Sequence, residues 1–184
     1  MIAARNARPV VVAGGGIGGL AVALALARRS FRVIVLEQAA EFGEIGAGIQ
    51  LAPNAWHAID ALGVGERVKK EAVFIEHLLM MDGVSGETVI DIPLDARFAK
   101  RFGNPYAVTH RADPIAFSAK AGHARAGGER ISAAALIGAD GGRSVVRSRI
   151  VGDGEPPVSG HMCYRAVLKV DEMPKDLRDR KSVV

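Results

Sequence analysis

The segment that decides the fold is residues 10–37, which read VVVAGGGIGGLAVALALARRSFRVIVLE. It begins with Val10–Ala13, a short β-branched apolar run bounded by glycine, as expected of a strand buried on both faces. Leu20–Arg29 is rich in alanine and leucine, which favour helix, and Phe31–Leu36 is a second apolar run that ends at Glu37. The pattern predicts a strand, a glycine turn, a helix and a parallel strand, and therefore an α/β fold.

The same residues also have features of a targeting or membrane segment. Arg5 and Arg8 precede an apolar run from Val10 to Ala27 that is 18 residues long, near the lower limit for a membrane span. Five glycines interrupt this run and Arg28-Arg29 follow it, which favours the strand, turn and helix. We therefore expect a soluble protein without membrane association.

The composition limits the classes of protein that fit. Hydrophobic residues make up 49% and charged residues 24%, as in globular domains. The single cysteine, Cys163, excludes an internal disulfide and a cysteine-based zinc cluster, so we expect a cytoplasmic protein without a metal site. The net charge of +4 comes from scattered basic residues, and aromatic residues are only 5%. Both observations argue against a nucleic-acid partner.

The glycine turn carries a dinucleotide-binding fingerprint, Gly14-x-Gly16-x-x-Gly19. The first glycine permits a tight turn, the second leaves room for a pyrophosphate, and the third lets the helix pack against the strand. Glu37 follows at the distance expected for a carboxylate that binds ribose hydroxyls. The fingerprint alone does not separate NAD from FAD. The candidate cofactor-binding residues of this unit are Gly14, Gly15, Gly16, Ile17, Gly18, Gly19, Glu37 and Gln38.

A second glycine-rich stretch lies at Glu41–Gln50 and contains Gly48. Pro53 then predicts the start of a helix over residues 54–62, with Gly63 as its C-terminal stop. The stretch is either a loop that leads into an amphipathic helix or a backbone segment held against a cofactor ring.

Four more strands are predicted farther along the chain. Leu78–Asp82 and Thr88–Ile92 flank Gly83–Gly86, a pattern typical of a β-hairpin. Tyr106–Arg111 is a short strand that ends in two polar residues, which are ordinary surface residues or ligand contacts. The last of the four is Ala134–Gly138.

Asp140 and Gly141 follow this last strand, and Ser144 and Arg147 come next at three-residue steps. That spacing indicates the first turns of a helix. Ligands of open α/β sheets bind at the carboxyl ends of strands, so Asp140 either contacts a ligand or caps the helix.

Taken together, these motifs resemble the FAD-dependent aromatic hydroxylases, single-component flavoprotein monooxygenases that act on hydroxybenzoates. The resemblance covers nearly the whole chain. It is carried by Gly14-x-Gly16-x-x-Gly19, Glu37, Gly46–Gln50 with Pro53-Asn54, Met80–Asp82, Thr109–Asp113, Asp140-Gly141-x-x-Ser144-x-x-Arg147, Gly160–Val167 and Met173–Arg178. It implies a Rossmann-like FAD-binding domain with a parallel sheet over residues 1–155, and the first strand of a substrate-binding sheet within 156–178.

The resemblance also implies an activity. FAD is the expected cofactor, NADH or NADPH the co-substrate, and O2 with a small aromatic acid the substrates. The expected reaction converts 3-hydroxybenzoate to 2,5-dihydroxybenzoate, with salicylate as the second choice of substrate. By resemblance, Glu37 holds the FAD ribose, Gly14–Gly19 the pyrophosphate and Arg111 the ribityl-phosphate side. Asp140 and Gly48 also lie at the cofactor, whereas no catalytic residue and no oligomeric state is indicated.

Two departures from the family lead to further expectations. The connection from Arg111 to Asp140 is short, which predicts an internal deletion or a sequence splice near residues 114–128. Val167–Val170 begins the substrate sheet, which the family continues well beyond, and residues 179–184 resemble a non-native tail. We expect an incomplete and at most marginally folded enzyme. The alternatives are an NAD(P)-dependent dehydrogenase domain and a non-functional gene fragment.

Overall fold

The computed structural model describes residues 8–39, 48–109, 130–162, 170–172 and 182–183. Its contacts divide the chain into two compact units. The first unit is Met1–Glu44 with Pro114–Cys163, and the second is Ile45–Asp113 with Tyr164–Val184. The domain boundaries predicted from the family, at 155/156 and 178/179, stay a prediction, and the proposed deletion lies outside the described residues.

The described elements follow one another along the chain in mixed α/β order. They are β1 (Val10–Ala13), α1 (Ile17–Ala27), β2 (Val33–Leu36), β3 (Ile49–Leu51), α2 (Pro53–Ala61), α3 (Gly65–Glu71), β4 (Val73–Phe74), β5 (His77–Met81), β6 (Thr88–Pro93), α4 (Ala96–Phe102), β7 (Ala107–Thr109), β8 (Ala135–Gly138), α5 (Val145–Ile150), a 3-10 turn at Val170–Glu172, and β9 (Ser182–Val183). None of the helices in these ranges has both the length and the apolar composition needed to cross a membrane.

The first unit contains a three-stranded parallel sheet in the order β2-β1-β8. Val10 pairs with Val33 on one side and with Ala135 on the other. The central strand is buried, and α1 packs on it through Leu20 and Ala23, which form a core with Val12 and Val35. The predicted α/β fold with a parallel sheet is confirmed, including β8, which is more than 90 residues away from β2 in sequence.

Two element boundaries differ from the sequence prediction for local reasons. Helix α1 begins at Ile17, three residues early, because Gly16 is in the extended conformation and serves as its N-cap. Strand β2 begins at Val33, two residues late, because Ser30 has a φ of 64° and the chain leaves the helix through a turn.

The second unit holds two small sheets, in the orders β3-β7-β4 and β6-β5-β9. The predicted hairpin is confirmed as the antiparallel pair β5–β6. Helix α2 begins at Pro53 as its first residue, and Gly63 follows its end with a φ of 73°, as predicted. Its fully buried Trp56 stacks on Phe74 with ring centroids 5.9 Å apart.

Other predicted strands are shorter or only partly described. Strand β7 covers Ala107–Thr109, and the last two residues of the predicted strand lie outside the described ranges. Val170 begins a 3-10 turn, while the preceding residues of that predicted strand are also outside them. Ser182, within the predicted non-native tail, pairs in parallel with His77 of β5.

Candidate functional site

A cleft of about 610 Å³ opens at the carboxyl ends of β1, β2 and β8. This volume falls within the range of about 300–1,000 Å³ that is usual for small-molecule sites. The carboxyl edge of a parallel sheet is also where ligands of this fold class bind. The lining residues are Gly14, Gly16, Leu36, Glu37, Gln38, Ala139, Asp140, Gly141, Arg143 and Val145.

The three fingerprint glycines have different surroundings. A Cβ on Gly14, whose φ is +106°, would overlap the carbonyl oxygen of Ala139, and a Cβ on Gly19 would overlap the carbonyl oxygen of Gly14. A Cβ on Gly16 would have no atom within 4 Å. The third glycine therefore serves helix packing, as predicted. The first has the positive φ of a tight turn and in addition packs against the Ala139 backbone, whereas the second faces open space that a ligand can use.

The N-terminus of α1 lies next to this open space and is not capped by a side chain. Gly16 is the N-cap and has no side chain to cap the helix, and the first turn holds no acidic residue. Helix N-termini carry unsatisfied amide donors and a partial positive charge, so they attract anions such as phosphates. The anion site that the fingerprint predicts stays a prediction, and the start of α1 lies where that site is expected.

Glu37 follows β2 and is held by two backbone amides. Its Oε2 accepts a hydrogen bond from the Gly15 amide at 2.7 Å, and its Oε1 accepts one from the Ala39 amide at 2.9 Å. The Ala39 amide is the main cause that lowers the pKa of Glu37 below its ordinary value, with partial burial opposing it and the Gly15 amide adding to it. The side chain is therefore a carboxylate at neutral pH.

Asp140 combines a position on the cleft with a contact to helix α5. Its Oδ1 accepts a hydrogen bond from the Ser144 hydroxyl at 2.5 Å, and its Oδ2 accepts one from the Val146 amide at 3.1 Å. The Ser144 hydroxyl is the main cause that lowers the pKa of Asp140. Asp140 thus binds an amide of the first turn of α5 without being its N-cap, which is Ser144. A direct contact of Asp140 to a ligand stays a prediction.

Ser144 and Arg147 complete this motif at the start of α5. The Ser144 Oγ accepts a hydrogen bond from the Arg147 amide at 2.9 Å and so caps the helix. The Arg147 Nη2 donates to the Gly154 carbonyl oxygen at 3.2 Å, and its Nε lies 3.2 Å from Asp153 Oδ1 as an ion pair. Arg147 therefore joins the helix to the segment that follows it.

The predicted site residues fall into four groups by position. The cleft is lined by Gly14, Gly16, Glu37, Gln38 and Asp140. The adjoining turn and first helical turn contain Gly15, Ile17, Gly18 and Gly19. Gly48 belongs to the second unit, where a Cβ on it would lie 3.1 Å from the Thr109 carbonyl oxygen. Arg111 lies outside the described residues.

Sequence reasoning missed several lining residues, of which Arg143 is the only charged one. It is exposed and stands between Asp140 and Ser144. Its place inside the Asp140–Arg147 motif was the signal that could have identified it. The other missed residues are Leu36, Ala139, Gly141 and Val145.

The chain is similar in sequence to known proteins. Residues 12–59 match the family model of an NAD(P)-binding Rossmann-like domain. The chain is 46% identical to 3-hydroxybenzoate 6-hydroxylase 1 of Aquipseudomonas alcaligenes, over 92% of this chain and 49% of that protein. It is 47% identical to 3-hydroxybenzoate 6-hydroxylase of Polaromonas naphthalenivorans, over 92% of this chain and 48% of that protein. The chain thus spans about half the length of these relatives.

The fold is also shared with a solved structure. HpxO of Klebsiella pneumoniae, complexed with FAD and uric acid, superposes with a TM-score of 0.65 at 23% identity, over 79% of this chain and 42% of that one. At this identity the likeness concerns the fold.

Proposed function

We propose that the chain is the FAD-binding part of a flavin-dependent aromatic hydroxylase, because it is 46% identical to 3-hydroxybenzoate 6-hydroxylase 1 of Aquipseudomonas alcaligenes over 92% of its length. The proposed reaction is hydroxylation of 3-hydroxybenzoate, or second of salicylate, with O2 and NADH or NADPH. The observation that carries the proposal is the open space at Gly16, beside the uncapped N-terminus of α1 and on the same cleft as the Glu37 carboxylate.

The residues of the cleft fit the ADP half of FAD. A pyrophosphate at Gly16 meets no side chain and faces the amides of α1, which stabilise its charge. Glu37 is ionised and its carboxylate oxygens can accept further hydrogen bonds from ribose hydroxyls. Gln38 lies beside it on the cleft. When bound, the flavin supplies the electron transfer and oxygen activation, and these residues bind and orient it.

The remaining site residues are proposed from the family resemblance. Gly48 and Asp140 lie at the cofactor, and Arg111 meets its ribityl-phosphate side. The side chain that activates the substrate is not assigned. We propose that the protein acts in the cytoplasm on a small aromatic acid, without a metal, nucleic-acid or membrane partner.

A dehydrogenase that binds NAD(P) is the second candidate, favoured by the family model that matches residues 12–59. The two candidates differ in what the purified protein retains. A hydroxylase keeps FAD and shows flavin absorbance in the visible range. A dehydrogenase is colourless as isolated and binds NADH tightly without added flavin.

The activity is tested on the protein at its natural length. NADH and NADPH oxidation are followed with 3-hydroxybenzoate, salicylate, 4-hydroxybenzoate or no acid, and the products are separated by chromatography. We expect 3-hydroxybenzoate to accelerate NADH oxidation and to yield 2,5-dihydroxybenzoate. If none of the three acids changes the rate, this class of activity is excluded.

A further inference from the structure

Glu37 makes a contact that a ribose ligand does not require. Its Oε2 accepts a hydrogen bond at 2.7 Å from the amide of Gly15, a buried residue in the middle of the glycine turn. We propose that Glu37 is a positioning residue for this turn, which it holds in its phosphate-binding shape before a nucleotide arrives. The inference rests on the proposed function for its ligand, whereas the contact itself is present in the protein alone.

The backbone explains why a side chain is needed at this point. Strands β1 and β2 are paired up to Ala13 and Leu36, and the Gly14 amide continues the ladder by donating to the Leu36 carbonyl oxygen at 2.8 Å. The next amide, that of Gly15, is bound by the Glu37 side chain instead of a backbone carbonyl. The carboxylate therefore ties the residue that follows β2 to the turn that follows β1.

The neighbouring glycines show what the hydrogen bond from Gly15 to Glu37 stabilises. Gly14 and Gly19 are fixed by close packing against backbone atoms, but a Cβ on Gly16 would have no atom within 4 Å. Gly15 thus lies between a tightly packed residue, Gly14, and an open one, Gly16. A hydrogen bond from the Gly15 amide to a charged acceptor restricts the orientation of the peptide that leads into α1.

The positioning role is compatible with binding ribose. The Gly15 amide donates one hydrogen bond to Oε2, and the Ala39 amide donates one to Oε1. A carboxylate has about four acceptor sites, so each oxygen retains one for a ribose hydroxyl. Removal of Glu37 should therefore weaken nucleotide binding in two separable ways.

Two nucleotides separate these contributions. ADP and 2′,3′-dideoxy-ADP are titrated by calorimetry into the wild-type chain and into Glu37→Ala, Glu37→Gln and Asp82→Ala. Dideoxy-ADP has no ribose hydroxyls for Glu37 to bind. Asp82 is the matched control, because its carboxylate also accepts hydrogen bonds from two backbone amides, those of Val84 and Ser85. Asp82 lies in the β5–β6 turn and does not line the cleft.

We expect Glu37→Ala to weaken dideoxy-ADP binding by about tenfold, the effect of one lost hydrogen bond to a charged group. Glu37→Gln keeps one acceptor oxygen and should bind dideoxy-ADP more tightly than Glu37→Ala, while Asp82→Ala should match the wild type. The proposal would be overturned if Glu37→Ala bound dideoxy-ADP as tightly as the wild type does but bound ADP more weakly. Glu37 would then act only as a ligand of the ribose.

If the protein binds neither ADP nor dideoxy-ADP, that result contradicts the proposed function. The positioning role of Glu37 is then tested by a measurement that needs no nucleotide. The Gly15 amide is followed in ¹H–¹⁵N spectra while the pH is lowered. Its proton shift should move with the ionisation of Glu37 in the wild type and in Asp82→Ala, and stay constant in Glu37→Gln. A Gly15 amide shift that is the same in the wild type and in both Glu37 variants would overturn the positioning role.

Discussion

The carbonyl oxygen of Ala139 occupies the place that a side chain on Gly14 would need. Gly14, which follows β1, and Ala139, which follows β8, thus approach each other so closely that position 14 has room for a hydrogen but not for a Cβ. Gly14 also has a φ of +106°, a conformation that residues with a Cβ rarely adopt. This contact brings the two strand ends together at the base of the cleft.

Replacement of Gly14 by alanine should destabilise the protein. The added Cβ overlaps the Ala139 carbonyl group, and the positive φ adds a cost of about 1–2 kcal/mol. We expect a loss of more than about 2 kcal/mol in the free energy of unfolding, measured by denaturant titration. Gly18→Ala is the control, since its Cβ meets no atom within 4 Å and helix favours alanine over glycine by about 1 kcal/mol. Equal stability of the two variants would contradict the packing argument.

Ser144→Ala should weaken the start of α5. The hydroxyl accepts a hydrogen bond from the Arg147 amide and donates one to Asp140. The loss of an N-cap of this kind costs about 0.5–2 kcal/mol, and the pKa of Asp140 should rise because its hydroxyl donor is gone. Thermal and denaturant unfolding measure the first effect, and a pH titration followed by NMR measures the second. Ser148→Ala, which removes an exposed hydroxyl bonded to the Val145 carbonyl oxygen, should change neither. Loss of stability from Ser148→Ala alone would contradict this account of the cap.

Acid should destabilise the protein by protonating two carboxylates, Glu37 and Asp140, that accept hydrogen bonds in the folded state. Hydrogen bonds from Ala39 and from Ser144 hold the pKa values of Glu37 and Asp140 below their ordinary values in the folded state. The unfolded chain therefore takes up protons first, and the stability present above about pH 4 is lost as the pH falls through the lowered folded values. Unfolding free energies measured stepwise from pH 6 downward should decline in this window, with a smaller slope in Glu37→Gln. A constant or rising stability on acidification would disprove the linkage.

The parallel sheet and the glycine turn could be predicted because their signals are local. Val10–Ala13 and Val33–Leu36 are apolar β-branched runs, and the spacing of the glycines between them is typical of a dinucleotide-binding turn. The start of α1 was misjudged because glycine is a poor helix former. Gly18 and Gly19 are nevertheless helical, since the close packing of Gly19 against Gly14 outweighs their propensity.

Other parts of the site depend on contacts between distant residues. The hydrogen bond from Gly15 to Glu37 spans 22 positions, and no periodicity or motif spacing indicates it. The position of Arg143 on the cleft depends likewise on how the turn after β8 is oriented. Helix α4 was not predicted, although Asp95 as its N-cap and Gly103 beyond its end, with a φ of 78°, are recognisable signals.

The most direct test of the account is the flavin content of Gly16→Val. In the wild type a Cβ at Gly16 has only open space around it, so a branched side chain should leave the fold intact and block the pyrophosphate of FAD. Gly83→Val is the control, since Gly83 also faces open space but lies in the β5–β6 turn. FAD binding is measured by visible absorbance and by titration of flavin fluorescence. We predict flavin in the wild type and in Gly83→Val, and a folded but colourless Gly16→Val. Full flavin content in Gly16→Val would contradict the assignment of this cleft to FAD.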